Sequence, residues 1–348
     1  DALQEKRRGY QNFEGTTLGV KGALRRDERN DVDSFDQYLQ ASLQITPRWS
    51  ANAGVRHVHV SFDSDDRYIV GTNPDDSGSV SYSATLPVLG VMFAASDSVH
   101  LYATAGRGFE TPTLNELAYR PSGQTGLNLA LQAARSKSLE IGAKFRFMPG
   151  SEATVAAFET HTTDEIVTQT NAGGRSTFQN AGATRRRGIE LSAAADLGSD
   201  LRLQGAYTWL DARYRDPFQT CAGVPCTTPT LTIPADNRIP GTASNSFYAS
   251  LAWTPPLGFR GGLEARALSK VWVNDANTDA AAGYATFSGY LGYLARIGTV
   301  ELSGFGRIDN LFDRNYVGSV IVGEGNGRFF EPAPGRTWTV GANVAVRF

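Results

Sequence analysis

Apolar and polar positions alternate in pairs along this chain. In the stretch 337–348, TWTVGANVAVRF, one face collects Trp338, Val340, Ala342, Val344, Val346 and Phe348. The other collects Thr337, Thr339, Gly341, Asn343, Ala345 and Arg347. A period of two is the signature of an extended strand. The same alternation sets Leu39, Ala41, Leu43 and Ile45 against Tyr38, Gln40, Ser42 and Gln44, and Leu139, Ile141, Ala143, Phe145 and Phe147 against Glu140, Gly142, Lys144 and Arg146. It returns with Leu201, Leu203, Tyr207 and Trp209 against Arg202, Gln204 and Thr208, and with Leu263, Ala265 and Ala267 against Glu264 and Arg266. A soluble sandwich with a dry core and a membrane barrel with lipid outside and a wet lumen both produce this pattern.

The connections separate the two. Short ones fall at 46–48, 96–98, 149–151, 197–200, 255–258 and 296–299, built largely of turn-forming residues. Long, polar, Gly- and Asn-rich ones fall at 63–79, 110–136, 171–180, 214–242, 274–283 and 318–336. Tight turns on one side and long loops on the other are the habit of an outer-membrane barrel, which keeps its turns periplasmic and its loops extracellular. The reading is an all-β, antiparallel, up-and-down transmembrane barrel wall. About thirteen strands are counted back from the C-terminus to 35–45, with 17–24 as an extra candidate. Trp49, Trp209, Trp253, Trp272 and Trp338 stand near strand ends, where amphipathic rings favour the boundary between hydrocarbon and headgroups.

Composition narrows the picture. The 348 residues are 41% apolar with 37 glycines, and no apolar run is long enough for a membrane-spanning helix. A net charge of -2 gives no electrostatic case for nucleic acid. The run Arg185-Arg186-Arg187 precedes a strand-like stretch and suits a lumen or rim position. Cys221 and Cys226 lie close together in a loop; a local disulfide in an oxidising compartment is the first reading and half of a zinc site the second.

Phe305-Gly306-Arg307-Ile308-Asp309-Asn310-Leu311-Phe312-Asp313-Arg314-Asn315-Tyr316, followed by the terminal strand, resembles the C-terminal signature of TonB-dependent outer-membrane receptors. In it Asn310 and Asp313 suit a sharp bend while Leu311 and Phe312 face apolar surroundings. Gly106-Arg107-Gly108-Phe109-Glu110-Thr111-Pro112-Thr113-Leu114-Asn115-Glu116-Leu117, Asn180-Ala181-Gly182 and Arg187-Gly188-Ile189-Glu190-Leu191 are similar to the same family. Within it, Arg8-Gly9-Tyr10-Gln11-Asn12-Phe13, Leu24-Arg25-Arg26-Asp27-Glu28-Arg29-Asn30, Asp75-Asp76-Ser77-Gly78 and Tyr316-Val317-Gly318-Ser319-Val320-Ile321-Val322 resemble the branch that imports pyrroloquinoline quinone. The resemblance implies a barrel of about 22 strands filled by a plug, energised through TonB in the bacterial outer membrane. Residues 1–348 would be its C-terminal part, and no plug, TonB-contacting box or early strands are found in the sequence.

The implied activity is binding and gated passage of a scarce ligand, without catalytic residues or a cofactor. The partners are outer-membrane lipid, a small anionic ligand, and TonB only through the absent N-terminal part. A tricarboxylate calls for bidentate cations and a flat aromatic surface. The candidates are Arg107, Arg120, Arg175, Arg187, Arg328 and Arg336, with Tyr119, Phe329 and Phe330 for stacking. Arg107 and Arg328 lead because adjoining glycines let a ligand approach the backbone. The bland alternative pairs these arginines with Glu110, Glu116, Glu324 and Glu331. A ferric-siderophore receptor shares every barrel feature. A hydrolase barrel lacks a G-x-S-x-G stretch, a passive porin has no need of such long loops, and His57 with His59 offers a metal pair without a third ligand.

Overall fold

The computed structural model describes residues 1–172, 174–223 and 225–346, so Arg347 and Phe348 of the terminal stretch lie outside the described residues. One antiparallel sheet of 14 strands runs through the chain, each strand beside its neighbour in sequence. In order they are β1 (Ala2–Tyr10), β2 (Leu24–Gln44), β3 (Trp49–Asp66), β4 (Gly78–Ser96), β5 (Val99–Glu110), β6 (Ala134–Met148) and β7 (Ser151–Thr163). There follow β8 (Thr184–Asp196), β9 (Leu201–Tyr214), β10 (Asn245–Trp253), β11 (Gly258–Leu268), β12 (Tyr284–Ile297), β13 (Val300–Asp309) and β14 (Thr337–Val346). All six short connections expected from the sequence join consecutive strands at one end of the sheet. The other end carries the long connections, several with small hairpins of their own, such as Glu165–Ala172 with Arg175–Ala181 and Val317–Val320 with Phe330–Pro332.

Two sequence expectations change. Residues 17–24 form no extra wall strand: Thr17–Leu18 pairs with Phe13–Glu14 in a small hairpin, and Leu24 already opens β2. The extra wall strand is Ala2–Tyr10, paired with an extension of β2 well before residue 35.

Pairing register divides the wall into two faces. Leu89 is opposite Ala105, Ala105 opposite Leu139, Val155 opposite Leu191, and Leu251 opposite Leu263, so these share an outer face. That face is bare: Trp338 is 68% and Val340 85% exposed, and Leu39, Ile141, Leu263 and Leu291 are exposed with them. No second large sheet covers it among the described residues. A row of exposed Leu, Ile and Val is unfavourable in water and favourable in hydrocarbon. Trp49 and Trp253 stand exposed beside the short turns and Trp338 at the opposite end, bracketing the apolar band.

The inner face is polar. Arg307 of β13 makes a two-pronged pair with Glu264 of β11, at 3.0 and 2.8 Å, and also meets Asp309. Buried apolar clusters occur where the long connections fold back onto the wall. Leu117, Leu127, Leu131 and Ala133 pack on Phe62 and Tyr82, and Tyr214 gathers Val167, Ala181, Ala212, Ile233 and Ile239.

Candidate functional site

The connection from β5 to β6 folds inward rather than standing away from the wall. Thr113 caps the single-turn helix α1 (Leu114–Leu117): Glu116 N donates to its hydroxyl at 3.3 Å, and its own N–H donates to the Glu116 carboxylate at 2.7 Å. Leu117 is then completely buried, and the Tyr82 hydroxyl donates to the Leu131 carbonyl at 2.8 Å. Further along, Arg120 Nε donates to the Leu127 carbonyl at 3.1 Å, and its guanidinium meets Asp76 at 3.4 Å. Gly126 has φ +82°, and a Cβ there would come within 2.7 Å of the Asp76 side chain, so the close approach needs glycine.

This scaffold presents Tyr119. Three guanidinium carbons lie close to its ring centroid: Arg7 at 5.3 Å, Arg26 at 5.5 Å and Arg175 at 5.4 Å. Each is within cation–π range. Arg7 and Arg26 come from the inner faces of β1 and β2, where Arg7 is opposite Glu28 and Gly9 opposite Arg26. Arg175 begins the second strand of the hairpin between β7 and β8. Arg7 Nη2 also reaches the Tyr119 hydroxyl at 3.4 Å. Arg26 is the fixed member: its Nε pairs with Glu28, its Nη1 donates to the Ala118 carbonyl at 2.7 Å, and its Nη2 is buried without a partner. Arg7 and Arg175 form no ion pair among the described residues. Like charges gathered on one ring repel, so the cluster favours an anion.

The other expected residues are dispersed. Arg107 is opposite Lys137 on the outer face of β5 and so does not line the mouth; strand alternation, which loop-based reading ignored, decides this. Arg328 is exposed at the tip of the Val317–Val320/Phe330–Pro332 hairpin, with its N–H 3.4 Å from Asn326 Oδ1. Arg336 is exposed, its N–H donating to Asp313 at 2.8 Å. Arg187 lies 3.4 Å from Asp211. Three of the four acids expected as their partners are used elsewhere: Glu116 in the helix cap, Glu331 on Ser319, and Glu324 on the Asn326 N–H.

Phe329 lines a cavity of about 290 Å³ with Thr168, Gln169, Asn274 and Asp275, while Phe330 packs edge-on against it at 6.0 Å. His57 and His59 are exposed on the outer face, bonded to Thr85 Oγ1 at 3.0 Å and Ser83 Oγ at 2.8 Å. No group of three metal-ligating side chains occurs among the described residues.

Cys221 and Cys226 are joined in a disulfide with Cα atoms 6.0 Å apart. The Cys226 N–H donates to the Pro121 carbonyl at 3.0 Å, which docks this loop beside Tyr119 and Arg120. In the Phe305–Tyr316 stretch, Asn310 and Asp313 both adopt positive φ, and the Asn310 side chain bonds the Arg314 N–H at 2.9 Å and carbonyl at 2.8 Å. The expected bend is there. Phe312, 70% exposed, packs on Phe287 of the outer face.

Sequence and structure comparisons agree with this architecture. Residues 4–311 match the family model described as TonB dependent receptor-like, beta-barrel. The metal-pseudopaline receptor CntO of Pseudomonas aeruginosa is 29% identical over 54% of this chain and 25% of its own length. The ferrioxamine B receptor of Salmonella typhimurium is 25% identical over 83% of this chain and 38% of its own. The chain therefore spans well under half the length of these relatives. Among solved structures, the siderophore receptor PiuA from Acinetobacter baumannii superposes with a TM-score of 0.73 at 19% identity, over 94% of this chain and 46% of that one. The copper transporter OprC gives 0.72 at 18% identity, over 100% of this chain and 52% of that one. A bare apolar outer face, turns and loops sorted to opposite ends, and a family match over most of the sequence lead to one assignment: the chain belongs to the TonB-dependent receptor β-barrel family of the bacterial outer membrane.

Proposed function

We propose that this barrel wall belongs to a receptor that captures a scarce anionic ligand at its extracellular mouth and passes it inward at the expense of energy delivered through TonB. The observation that carries the reading is the Tyr119 ring ringed by Arg7, Arg26 and Arg175. Guanidinium groups recognise carboxylates two-pronged, and an aromatic ring offers a stacking surface.

Two ligand chemistries fit. A ferric siderophore is supported by relatives whose names record metal-pseudopaline and ferrioxamine B as their ligands. Pyrroloquinoline quinone, flat and bearing three carboxylates, is supported by the loop resemblances and by the pairing of an aromatic ring with unpaired arginines. The deciding experiment is calorimetric titration of the complete receptor with the quinone and with a panel of ferric siderophores, repeated on Arg7→Ala and Arg175→Ala. Loss of one charge-assisted hydrogen bond should weaken binding by about 1.5 to 3 kcal/mol, roughly ten- to a hundredfold. Affinity unchanged in the double variant would remove the Tyr119 cluster from the site. Whichever ligand class binds settles the chemistry.

A further inference from the structure

Pairing register places basic side chains side by side on the outer face near the long-loop end of the wall. Arg107 of β5 is opposite Lys137 of β6, and Lys137 is opposite His161 of β7. His161 is opposite Arg185 of β8, and Arg185 is opposite Arg213 of β9. The result is one continuous row across five neighbouring strands. At a strand spacing of about 4.8 Å it extends for roughly 19 Å.

The rows nearer the short turns show what this surface faces. Two residues along each strand comes a mixed row, Ala105, Leu139, Glu159, Arg187 and Asp211. Two residues further it is apolar: Ala103, Ile141, Ala157, Ile189 and Trp209. The next row, Leu101, Ala143, Val155, Leu191 and Tyr207, belongs to the lipid-facing band as well. The cationic row therefore stands just beyond the hydrocarbon, at the height of outer-leaflet headgroups.

Like charges directly opposite each other destabilise a sheet. Part of this row is partnered from within: the His161 ring meets Glu159 at 2.6 Å, and Arg213 meets Asp211 at 2.7 Å. Arg107, Lys137 and Arg185 have no side-chain hydrogen bond or ion pair among the described residues. Arg135, one row further out, is engaged, with its guanidinium over the Phe109 ring at 5.2 Å and a bond to the Ser83 carbonyl at 3.0 Å. Elsewhere at this end the outer face mixes signs, and its arginines stand against acids: Arg29 meets Asp31 at 3.3 Å and Arg8 meets Asp27 at 3.2 Å.

We propose that Arg107, Lys137 and Arg185 form a docking site for the phosphate groups of a phosphorylated glycolipid in the outer leaflet, whose acyl chains lie along the Ile141, Ile189 and Leu191 rows. Arginine supplies two-pronged phosphate recognition and lysine a point charge. The charge of the headgroup removes the repulsion that the register builds into the row.

The test uses the complete receptor in detergent, with co-purified and added lipid counted by native mass spectrometry. The probes are lipid A bearing both phosphates, its dephosphorylated form, and inorganic phosphate. The variant is Arg107→Gln/Lys137→Gln/Arg185→Gln, with Arg328→Gln as a loop control. Each cation near an anionic surface contributes about a factor of five, so the triple variant should bind the phosphorylated lipid on the order of a hundredfold more weakly. Dephosphorylated lipid should bind the unaltered receptor equally weakly, and Arg328→Gln should change nothing. Equal retention of both lipids by the unaltered receptor overturns the proposal, and does so even if the triple variant fails to insert. Displacement of the lipid by millimolar inorganic phosphate alone would also overturn it, by showing a free-anion site.

Discussion

Tyr119 is presented by a loop without alternation, and the arginines around it come from β1, β2 and a hairpin after β7. Such a cluster is invisible to periodicity, because each member is chosen by tertiary packing. The sequence did single out Tyr119, Arg120 and Arg175 on chemical grounds, and two of the three meet at the ring. Arg7 and Arg26 could have been added only by recognising Ala2–Tyr10 as a strand. Arg107 went to the wrong face for a mouth ligand because its glycine neighbours suggested a loop where the chain is still strand.

A second residue gives a pH prediction. Asp275, in the connection between β11 and β12, accepts a hydrogen bond from the Tyr214 hydroxyl at 2.6 Å, yet burial away from water holds its pKa above the ordinary 3.8. The folded loop therefore binds this proton more tightly than an unfolded one. The stabilisation is fully present below the ordinary value and is lost as pH rises through the raised one. Hydrogen exchange in residues 273–281, corrected for its intrinsic pH dependence, should slow as pH is lowered from neutral into the mildly acid range. Asp275→Asn should abolish that change; an identical pH dependence in the variant would assign it to another group.

At the scale of elements, legibility follows the solvent. Strands crossing hydrocarbon have one apolar and one polar face, so β6, β9, β11 and β14 were readable from alternation alone. Where strands extend past the lipid both faces are wet and the signal vanishes. β1 presents Gln4, Lys6 and Arg8 on one face and Glu5 and Arg7 on the other, so alternation does not reveal it, and the legible part of β2 starts at residue 35 rather than at Leu24.

The Cys221–Cys226 loop shows what such extensions hold in place. Its contact with Pro121 supports the backbone next to Tyr119. The ring closed by the disulfide is short, so its loss should cost about 2 kcal/mol or less and leave the wall assembled. Replacing both cysteines by serine should speed exchange of the residue 226 amide and loosen ligand binding modestly, with barrel insertion unchanged. An exchange rate equal to that of the parent protein would show that the loop holds its position without the disulfide.

At the scale of the whole molecule, the assignment of lipid outside and lumen inside rests on two adjacent residues as well as on the average. Ala342 and Asn343 lie mid-way along β14, between Trp338 at the long-loop end and Val346 at the other. Ala342 is opposite Gly304 on the outer face and Asn343 opposite Ser303 on the inner face; all are small or uncharged. Both positions are exposed and neither has a charged cross-strand partner among the described residues, so the substitutions differ mainly in the medium the guanidinium enters. In the middle of a lipid-facing strand that medium is hydrocarbon, and Ala342→Arg should destabilise the complete receptor by about 2 to 4 kcal/mol in vesicles. Asn343→Arg should enter water or a polar lumen and cost under about 1 kcal/mol. Urea unfolding from lipid vesicles, followed by tryptophan fluorescence, measures both. In detergent, where a guanidinium reaches water by displacing mobile chains, the gap should narrow. Equal losses for the two variants, or a larger loss at Asn343, would mean that the bare apolar face does not meet lipid and that the wall is turned the other way.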